Sequence, residues 1–135
     1  MDHIITVAAS TNTDTLASFS DYGHTVDIAA PGKFIASTVD TDSYAYMNGT
    51  SMATPFVVGV ASLARSMRPE LSYLDIKHAI IDHAEYVAEF SGVVKNGKRL
   101  NAYTTLLSLD NISPTATIVY STTGWTSGNI LATIT

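Results

Sequence analysis

The stretch Gly49-Thr50-Ser51-Met52-Ala53-Thr54-Pro55 stands directly before a long apolar run from Phe56 to Met67. The run predicts a helix, which places Ser51 where the helix begins. Backbone N–H groups at a helix start lack partners within the helix, and the positive end of the helix dipole lies there. A serine in that position can act as a nucleophile beside an oxyanion site if a base is near. The alternative is a Ser/Thr cap on a buried helix.

These seven residues resemble the nucleophile motif of the subtilisin-like serine proteases (subtilases, peptidase S8), which has the pattern G-T-S-M-A-x-P. The sequence matches every fixed position, which makes the cap-only alternative the weaker one. The resemblance implies that Ser51 is the catalytic nucleophile. It also implies that the rest of the motif supports the nucleophile and the oxyanion, through Gly49, Thr50, Met52, Ala53 and Pro55. The family usually has histidine after the proline, and we interpret Phe56 at that place as a change in packing.

Three other segments resemble subtilases in order and spacing. The family's F-S-x-x-G corresponds to Phe19-Ser20…Gly23, its V-D-I-x-A-P-G segment to residues 26–32, and its closing segment to residues 97–102. The resemblance covers about residues 4–108. It implies an α/β fold, namely part of a subtilisin-like parallel-sheet domain with three layers.

Apolar and turn-forming residues along the chain predict strands over 4–9, 26–30 and 33–38, with 44–48 leading into the serine turn. The helix after the turn is apolar almost all round, which is typical of a helix that runs through the middle of a protein. We expect Gly59 to let this helix pack closely on the sheet.

Two further helices are predicted after the serine helix. Ser72 opens a surface helix, and Asp75 completes a capping box there. The core-facing side of that helix is expected to carry Ile76, Ala79, Ile80, His83 and Val87. A short last helix follows from Leu100 to Leu109.

The composition changes from Asp110 to Pro114. Residues 115–120 and 129–134 predict two alternating strands joined by a polar loop. They resemble the first hairpin of a bacterial immunoglobulin-like β-sandwich, although two strands are too few for a sandwich. We therefore expect residues 1–109 to be the C-terminal part of a subtilase catalytic domain. Residues 110–135 would be a linker and the first strands of a truncated Ig-like domain.

A serine protease of this type also needs a histidine base, an aspartate that orients it and a second oxyanion donor. Subtilases carry these groups in D-[ST]-G, H-G-T-H and A-G-N segments, none of which occurs in this sequence. A triad improvised from His24, Asp27 and Ser51 is an alternative. We expect a fragment of a serine endopeptidase that cuts protein or peptide substrates, lacks its N-terminal part and is inactive alone. A catalytically dead surface or adhesion module is the other hypothesis.

The composition excludes several classes of function. With 46% hydrophobic and 14% charged residues the chain is globular, and a net charge of −5 argues against a nucleic-acid partner. No run is long enough to span a membrane. The resemblance implies a secreted or cell-surface protein that requires no cofactor. Some relatives hold a structural cation such as calcium, for which Asp27 is the candidate ligand, although a hydrogen-bonded carboxylate at a strand end is the commoner role.

Overall fold

A computed structural model describes residues 3–40 and 42–111 together with two short strands, 118–120 and 132–134. The strands are β1 Val7–Ser10, β2 Ile28–Pro31, β3 Ile35–Val39, β4 Ser43–Met47, β5 Glu85–Tyr86, β6 Lys98–Arg99, β7 Ile118–Tyr120 and β8 Ala132–Ile134. The helices are α1 Thr50–Met67, α2 Tyr73–Asp82 and α3 Ala102–Leu109. Two single 3₁₀ turns lie between α2 and α3, at Ala88–Phe90 and Lys95–Gly97.

The main sheet has the strand order β1-β2-β6-β5. Strands β1, β2 and β6 run parallel, with Ala8 opposite Ala29 and Ala29 opposite Arg99. The short strand β5 is antiparallel to β6. The predicted α/β class with a parallel sheet is therefore confirmed.

The two faces of this sheet bury different layers, because successive side chains of a strand point to opposite sides. Ala9, Ile28 and Ala30 pack with residues of α1 and α2 in one core cluster. Ala8 and Ala29 face the other way and pack against the segment after β5, with the side chains of Phe90 and Val94. The chain thus has a helical layer, a sheet and a third layer of irregular structure.

The first two strands begin later than predicted, β1 at Val7 and β2 at Ile28. The residues just before them are joined by side-chain bonds: the backbone N–H and the hydroxyl of Thr6 donate to Oδ2 of Asp27 at 3.0 and 3.1 Å. A polar residue thus stands just before each strand, and the Thr6 carbonyl also accepts from the backbone N–H of Ile28 at 3.2 Å.

A strand that the sequence did not predict is β4, which forms an antiparallel hairpin with β3. Ile35 lies opposite Met47, and Val39 lies opposite Ser43. Most residues of β4 are exposed, and Tyr44 and Tyr46 are 81% and 74% exposed. A strand without a buried face lacks the alternating pattern by which strands are found in sequences, which explains the omission.

Helix α1 starts at Thr50, so the serine motif forms its first turns rather than a loop before it. Its buried residues lie on one face, namely Ala53, Val57, Val60 and Ala64. Other apolar residues of the helix are 42–56% exposed, namely Phe56, Val58, Leu63 and Met67. Within the described residues the helix is therefore buried on one face only, and its place in the middle of a larger domain stays a prediction. The expectation that Gly59 packs closely on the sheet is wrong, since a Cβ built there meets no atom of the described residues within 4 Å.

The capping box of α2 is confirmed. The backbone N–H of Asp75 donates to the Ser72 hydroxyl at 3.2 Å, and the backbone N–H of Ser72 donates to the Asp75 carboxylate at 2.9 Å. The helix is shorter than the predicted apolar face, because it ends at Asp82. His83 is its exposed C-cap and Val87 lies beyond it, so neither extends the buried face.

At the C-terminal end, α3 confirms the predicted last helix, and Asn101 caps it by accepting from the backbone N–H of Thr104 at 3.2 Å. Strands β7 and β8 pair antiparallel, with Ile118 opposite Ile134. The linker residues 112–117 and the predicted loop between these strands lie outside the described residues. The division at residue 109 and the Ig-like assignment stay predictions.

None of the helices in the described part of the chain combines the length and apolarity needed to cross a membrane.

Candidate active site

Ser51 lies in the first turn of α1 and is exposed. The N-cap of the helix is Gly49, whose carbonyl accepts from the backbone N–H groups of Met52 at 3.0 Å and Ala53 at 3.3 Å. No side chain caps this helix. The alternative in which the Ser/Thr pair serves as a helix cap is therefore wrong, and the Ser51 hydroxyl is left for another role.

The backbone around Ser51 is suited to an anion. Within the described residues, the Ser51 backbone N–H has no hydrogen-bond acceptor, as expected for a group in the first turn of a helix. No acidic residue stands in that turn to neutralise the dipole. Pro55 has no N–H to donate to the Ser51 carbonyl, which adds the distortion expected of a proline inside the first turns. A backbone donor without an acceptor among the described residues thus lies next to the Ser51 hydroxyl, which is the kind of group from which an oxyanion hole is built.

A cavity of about 420 Å³ opens beside Ser51 between α1 and β3. Its wall is mostly apolar, and it is formed by Ile35, Ser37, Ser51, Met52, Pro55, Phe56, Gly59, Val60 and Leu63. Phe56, which replaces the histidine usual in subtilases, is 42% exposed and belongs to this wall. Among the described residues it packs at the rim of this cavity rather than in the core, and the interpretation of Phe56 as a change in packing stays a prediction.

The carboxyl end of β2 holds the serine turn in place. The backbone N–H of Gly49 donates to the carbonyl of Gly32 at 2.8 Å, and the N–H of Gly32 donates to the carbonyl of Ser10 at 3.0 Å. A Cβ on Gly32 would stand 2.5 Å from Cβ of Ala9 and 2.8 Å from the Gly49 oxygen. Gly32 is therefore required by a close approach of three backbones.

The four histidines all lie within the described residues, and none lines the cavity at Ser51. His3 packs against the Tyr73 ring with centroids 5.2 Å apart, and Nδ1 of His83 lies 3.1 Å from the Ala79 carbonyl. His24 and His78 line depressions elsewhere. The Ser51 hydroxyl therefore has no histidine base among these 135 residues.

The improvised triad fails for a topological reason. Asp27 precedes β2, whereas Gly32 follows it and is the residue bonded to Gly49. Extended chain rises about 3.3 Å per residue, which puts Asp27 and the serine turn at opposite edges of the sheet, roughly 16 Å apart along the strand. His24 lines a depression together with Asp27 and is likewise remote from Ser51. A triad of His24, Asp27 and Ser51 is excluded.

Asp27 has the role of a hydrogen-bonded carboxylate at a strand end. Its Oδ2 accepts from Thr6, as described above, and Nζ of Lys77 lies 3.9 Å away in an ion pair of two largely buried side chains. Within the part of the chain that the structure describes, no three or more His, Cys, Asp or Glu side chains are grouped so that they could hold a metal ion. The structural calcium implied by the resemblance stays a prediction.

A serine at the start of a central helix, held by the carboxyl end of a parallel sheet, also characterises a known family. The sequence profile of the Subtilase family, Peptidase S8, matches residues 1–112. The chain belongs to the subtilase family. The resemblance stated from the motifs is thereby confirmed for the greater part of the chain.

Individual subtilases agree with this assignment. The chain is 42% identical over 102 residues to the thermophilic serine proteinase of Bacillus sp. strain AK1. This match covers 76% of this chain and 25% of that protein. It is 44% identical over 99 residues to thermitase of Thermoactinomyces vulgaris, covering 73% of this chain and 34% of thermitase. A solved cold-adapted subtilisin-like serine proteinase superimposes with a TM-score of 0.65 at 33% identity, over 71% of this chain and 37% of that one. The chain thus spans about a quarter to a third of the length of these curated relatives.

Proposed function

We propose that this chain provides the nucleophile of a serine endopeptidase that hydrolyses peptide bonds through an acyl-enzyme on Ser51. The observation that carries the proposal is the position of Ser51, which combines an exposed hydroxyl, an unpartnered backbone N–H and a helix N-terminus at the edge of a cavity. In such a reaction the serine oxygen attacks the peptide carbonyl, and the N–H stabilises the negative charge that develops on the carbonyl oxygen. Gly49, Thr50, Met52, Ala53 and Pro55 keep this turn in shape.

The base, the orienting aspartate and the second oxyanion donor would come from polypeptide beyond these 135 residues. Two observations support this part of the proposal: no histidine lines the cavity at Ser51, and the matched relatives are three to four times longer than the matched region. The same polypeptide would cover exposed apolar side chains of α1: Phe56 and Leu63 at the cavity beside Ser51, and Val58 at a separate groove, are 42–56% exposed. Burial of such a surface is what joins the two parts of one domain.

The substrates of this enzyme would be proteins or peptides, and it would act outside the cell or on its surface. Support comes from the family and from one relative, 40% identical over 83 residues, which is described as a halolysin-like extracellular serine protease of Natrialba magadii. Residues 110–135 would link the catalytic domain to an Ig-like domain. No cofactor would take part in the chemistry, and a bound calcium ion would be structural.

The proposal is tested by labelling the longest native polypeptide that contains this chain with a fluorophosphonate, which reacts with activated serines. We expect one label, on Ser51, and complete loss of labelling and of casein hydrolysis in Ser51→Ala. Removal of a nucleophilic serine typically lowers kcat by several orders of magnitude. The matched control is Ser62→Ala, which removes a hydroxyl from the same helix that bonds only to the Val58 carbonyl, at 2.9 Å.

A folded native protein that resists the label would overturn the proposal. In that case the protein is a subtilase-like surface or adhesion module without catalytic function. Hydrolysis by the 135 residues alone that disappears in Ser51→Ala would contradict the proposed need for an external base.

A further inference from the structure

One side-chain contact at the base of the β3–β4 hairpin has no role in the function proposed above. The backbone N–H of Phe34 donates to Oδ1 of Asn48 at 2.8 Å. Asn48 immediately precedes Gly49, the N-cap of α1, and Phe34 follows Gly32 by two residues. The contact lies beyond the last backbone pair of the hairpin, Ile35 opposite Met47, and so prolongs the ladder toward Ser51.

Phe34 has an unusual backbone conformation, with φ at +56°. The other non-glycine residues at positive φ in the described chain are Asp14, Asp42 and Asn96, which are of the residue types that tolerate it. A bulky residue is strained there and remains so only if its surroundings impose the conformation. The Phe34 ring is 67% exposed, so packing of the ring does not impose it. Its ring makes one further contact, with Nζ of Lys33 5.7 Å from the ring centroid, whereas the bond to Asn48 holds the backbone N–H itself.

The same segment also carries the attachment of the serine turn. Gly49 donates to the carbonyl of Gly32 at 2.8 Å, two residues before Phe34. Two bonds, Gly49 to Gly32 and Phe34 to Asn48, join the segment between β2 and β3 to the segment between β4 and α1. A change in the path at Phe34 would therefore shift Gly32 or Asn48, and with them the first turn of α1.

We propose that Asn48 is a positioning residue for Ser51. Its side-chain amide holds Phe34 in the left-handed conformation and thereby fixes the position of the first turn of α1 relative to the sheet. The inference rests on the proposed function of Ser51 as nucleophile. Asn48 acts through the backbone of Phe34 and Gly49, and takes no part in the chemistry itself. A displacement of the nucleophile by about 1 Å is enough to slow attack roughly 100-fold, so a clamp of this kind has catalytic consequences.

The test measures the second-order rate of fluorophosphonate labelling at Ser51 per folded molecule, in the longest native polypeptide that contains the chain. Folded fractions and melting temperatures are taken from circular dichroism. We expect Asn48→Ala to react at least about tenfold more slowly than the wild type. Asn48→Asp keeps an oxygen acceptor at the same distance from the backbone, and it should react within about threefold of the wild type.

A second substitution tests the route by which Asn48 acts. Glycine adopts positive φ without strain, so Phe34→Gly should remove the need for the clamp. In the Asn48→Ala background it should restore most of the labelling rate, which is a coupling that independent sites do not show. The matched control is Ser43→Ala, which removes the bond from the Ser43 hydroxyl to the Asp40 carbonyl, 3.1 Å long, at the far end of the same hairpin. It should leave the rate within about twofold of the wild type.

The outcomes separate the two proposals. If the wild type is labelled and Asn48→Ala reacts at the same rate with only a lower melting temperature, Asn48 is merely structural and the inference is wrong. If the wild type itself is not labelled, the proposed function fails and the clamp positions no nucleophile. Should Asn48→Ala not fold, Asn48→Gln, which displaces the amide by one methylene, is compared with Asn48→Asp. Equal rates in these two variants would likewise overturn the inference.

Discussion

The two faces of α1 carry similar apolar residues and differ in what covers them. On one face the side chains are at most 5% exposed, namely Ala53, Val57, Val60 and Ala64. On the rest of the helix the large apolar side chains are 42–56% exposed, namely Phe56, Val58, Leu63 and Met67. The buried face packs on β1, β2, α2 and α3, whereas the other sides border open grooves, one of them beside Ser51. The comparison teaches that the sequence of a helix shows how much apolar surface it carries, whereas the tertiary partners decide how much of that surface is buried.

The largest difference in stability between the two faces of α1 is expected when a charged side chain is introduced on each of them. Val60→Asp would place an unpaired carboxylate in the core, at a cost of several kcal/mol, which is comparable with the whole stability of a domain. We expect the 135-residue chain not to fold with this substitution, as measured by circular dichroism. Leu63→Asp on the exposed face should change the free energy of unfolding by no more than about 0.5 kcal/mol.

The same pair also tests the proposed covering of the exposed face. In the longest native polypeptide Leu63→Asp should be nearly as damaging as Val60→Asp. A tolerated Leu63→Asp in that polypeptide would show that no part of the protein covers this side.

Adjacent valines provide a closer comparison. Val57 is 4% exposed and Val58 is 56% exposed. Val57→Ala should lower the free energy of unfolding by roughly 1–3 kcal/mol, through lost burial and a cavity. Val58→Ala should be nearly neutral in the 135-residue chain, since it removes little buried surface and alanine favours the helix. Urea unfolding at low protein concentration measures both, and equal losses would mean that both faces are buried.

Helix α2 contributes Ile76 and Ile80 to the buried face, and its capping box determines where it begins. Ser72→Ala should lower the free energy of unfolding by about 1 kcal/mol, because the Asp75 N–H loses its acceptor. The control is Ser66→Ala, an exposed serine of α1 that caps no helix. A loss in Ser66→Ala as large as in Ser72→Ala would argue against the capping box as the cause.

The pH dependence of this helix start follows from its carboxylate. The Ser72 hydroxyl and then its backbone N–H donate to Asp75 and hold the pKa of that carboxyl below its ordinary value. A lowered pKa in the folded state means that the ionised form stabilises the fold. This contribution is present above the unfolded pKa of about 3.9 and is lost as the pH falls through the lower folded value. The difference in melting temperature between wild type and Asp75→Asn should therefore shrink below about pH 4.

The smallest effect, and one of opposite sign, is expected at Gly59. Since a Cβ there meets no atom within 4 Å, Gly59→Ala should raise the free energy of unfolding of the 135-residue chain by about 0.5–1 kcal/mol through helix propensity alone. The added methyl group should instead destabilise the longest native polypeptide if its other part packs on this side. Gly32→Ala is the contrasting control and should destabilise both forms, because its Cβ would overlap Ala9 and Gly49.

Much of this arrangement could be predicted from local sequence. The helix that begins at the Ser51 motif, the capping box at Ser72 and the last helix all depend on neighbouring residues, and the structure confirms them. Strand β4 could not be predicted, because an exposed strand has no buried alternation to reveal it. The ends of β1 and β2 were missed for a similar reason, since the bonds between Thr6 and Asp27 join residues 21 positions apart.

The sequence by itself determined the family, the nucleophile candidate and the absence of any histidine motif that could serve it, because these depend on residue types in fixed order. The tertiary structure alone decided which side of α1 is buried and that Asp27 lies at the edge of the sheet remote from Ser51. It also decided that Asn48 reaches across to Phe34, 14 residues away. The physical reason is that contacts between distant segments depend on how the strands are ordered in the sheet, and no local pattern of residues records that order.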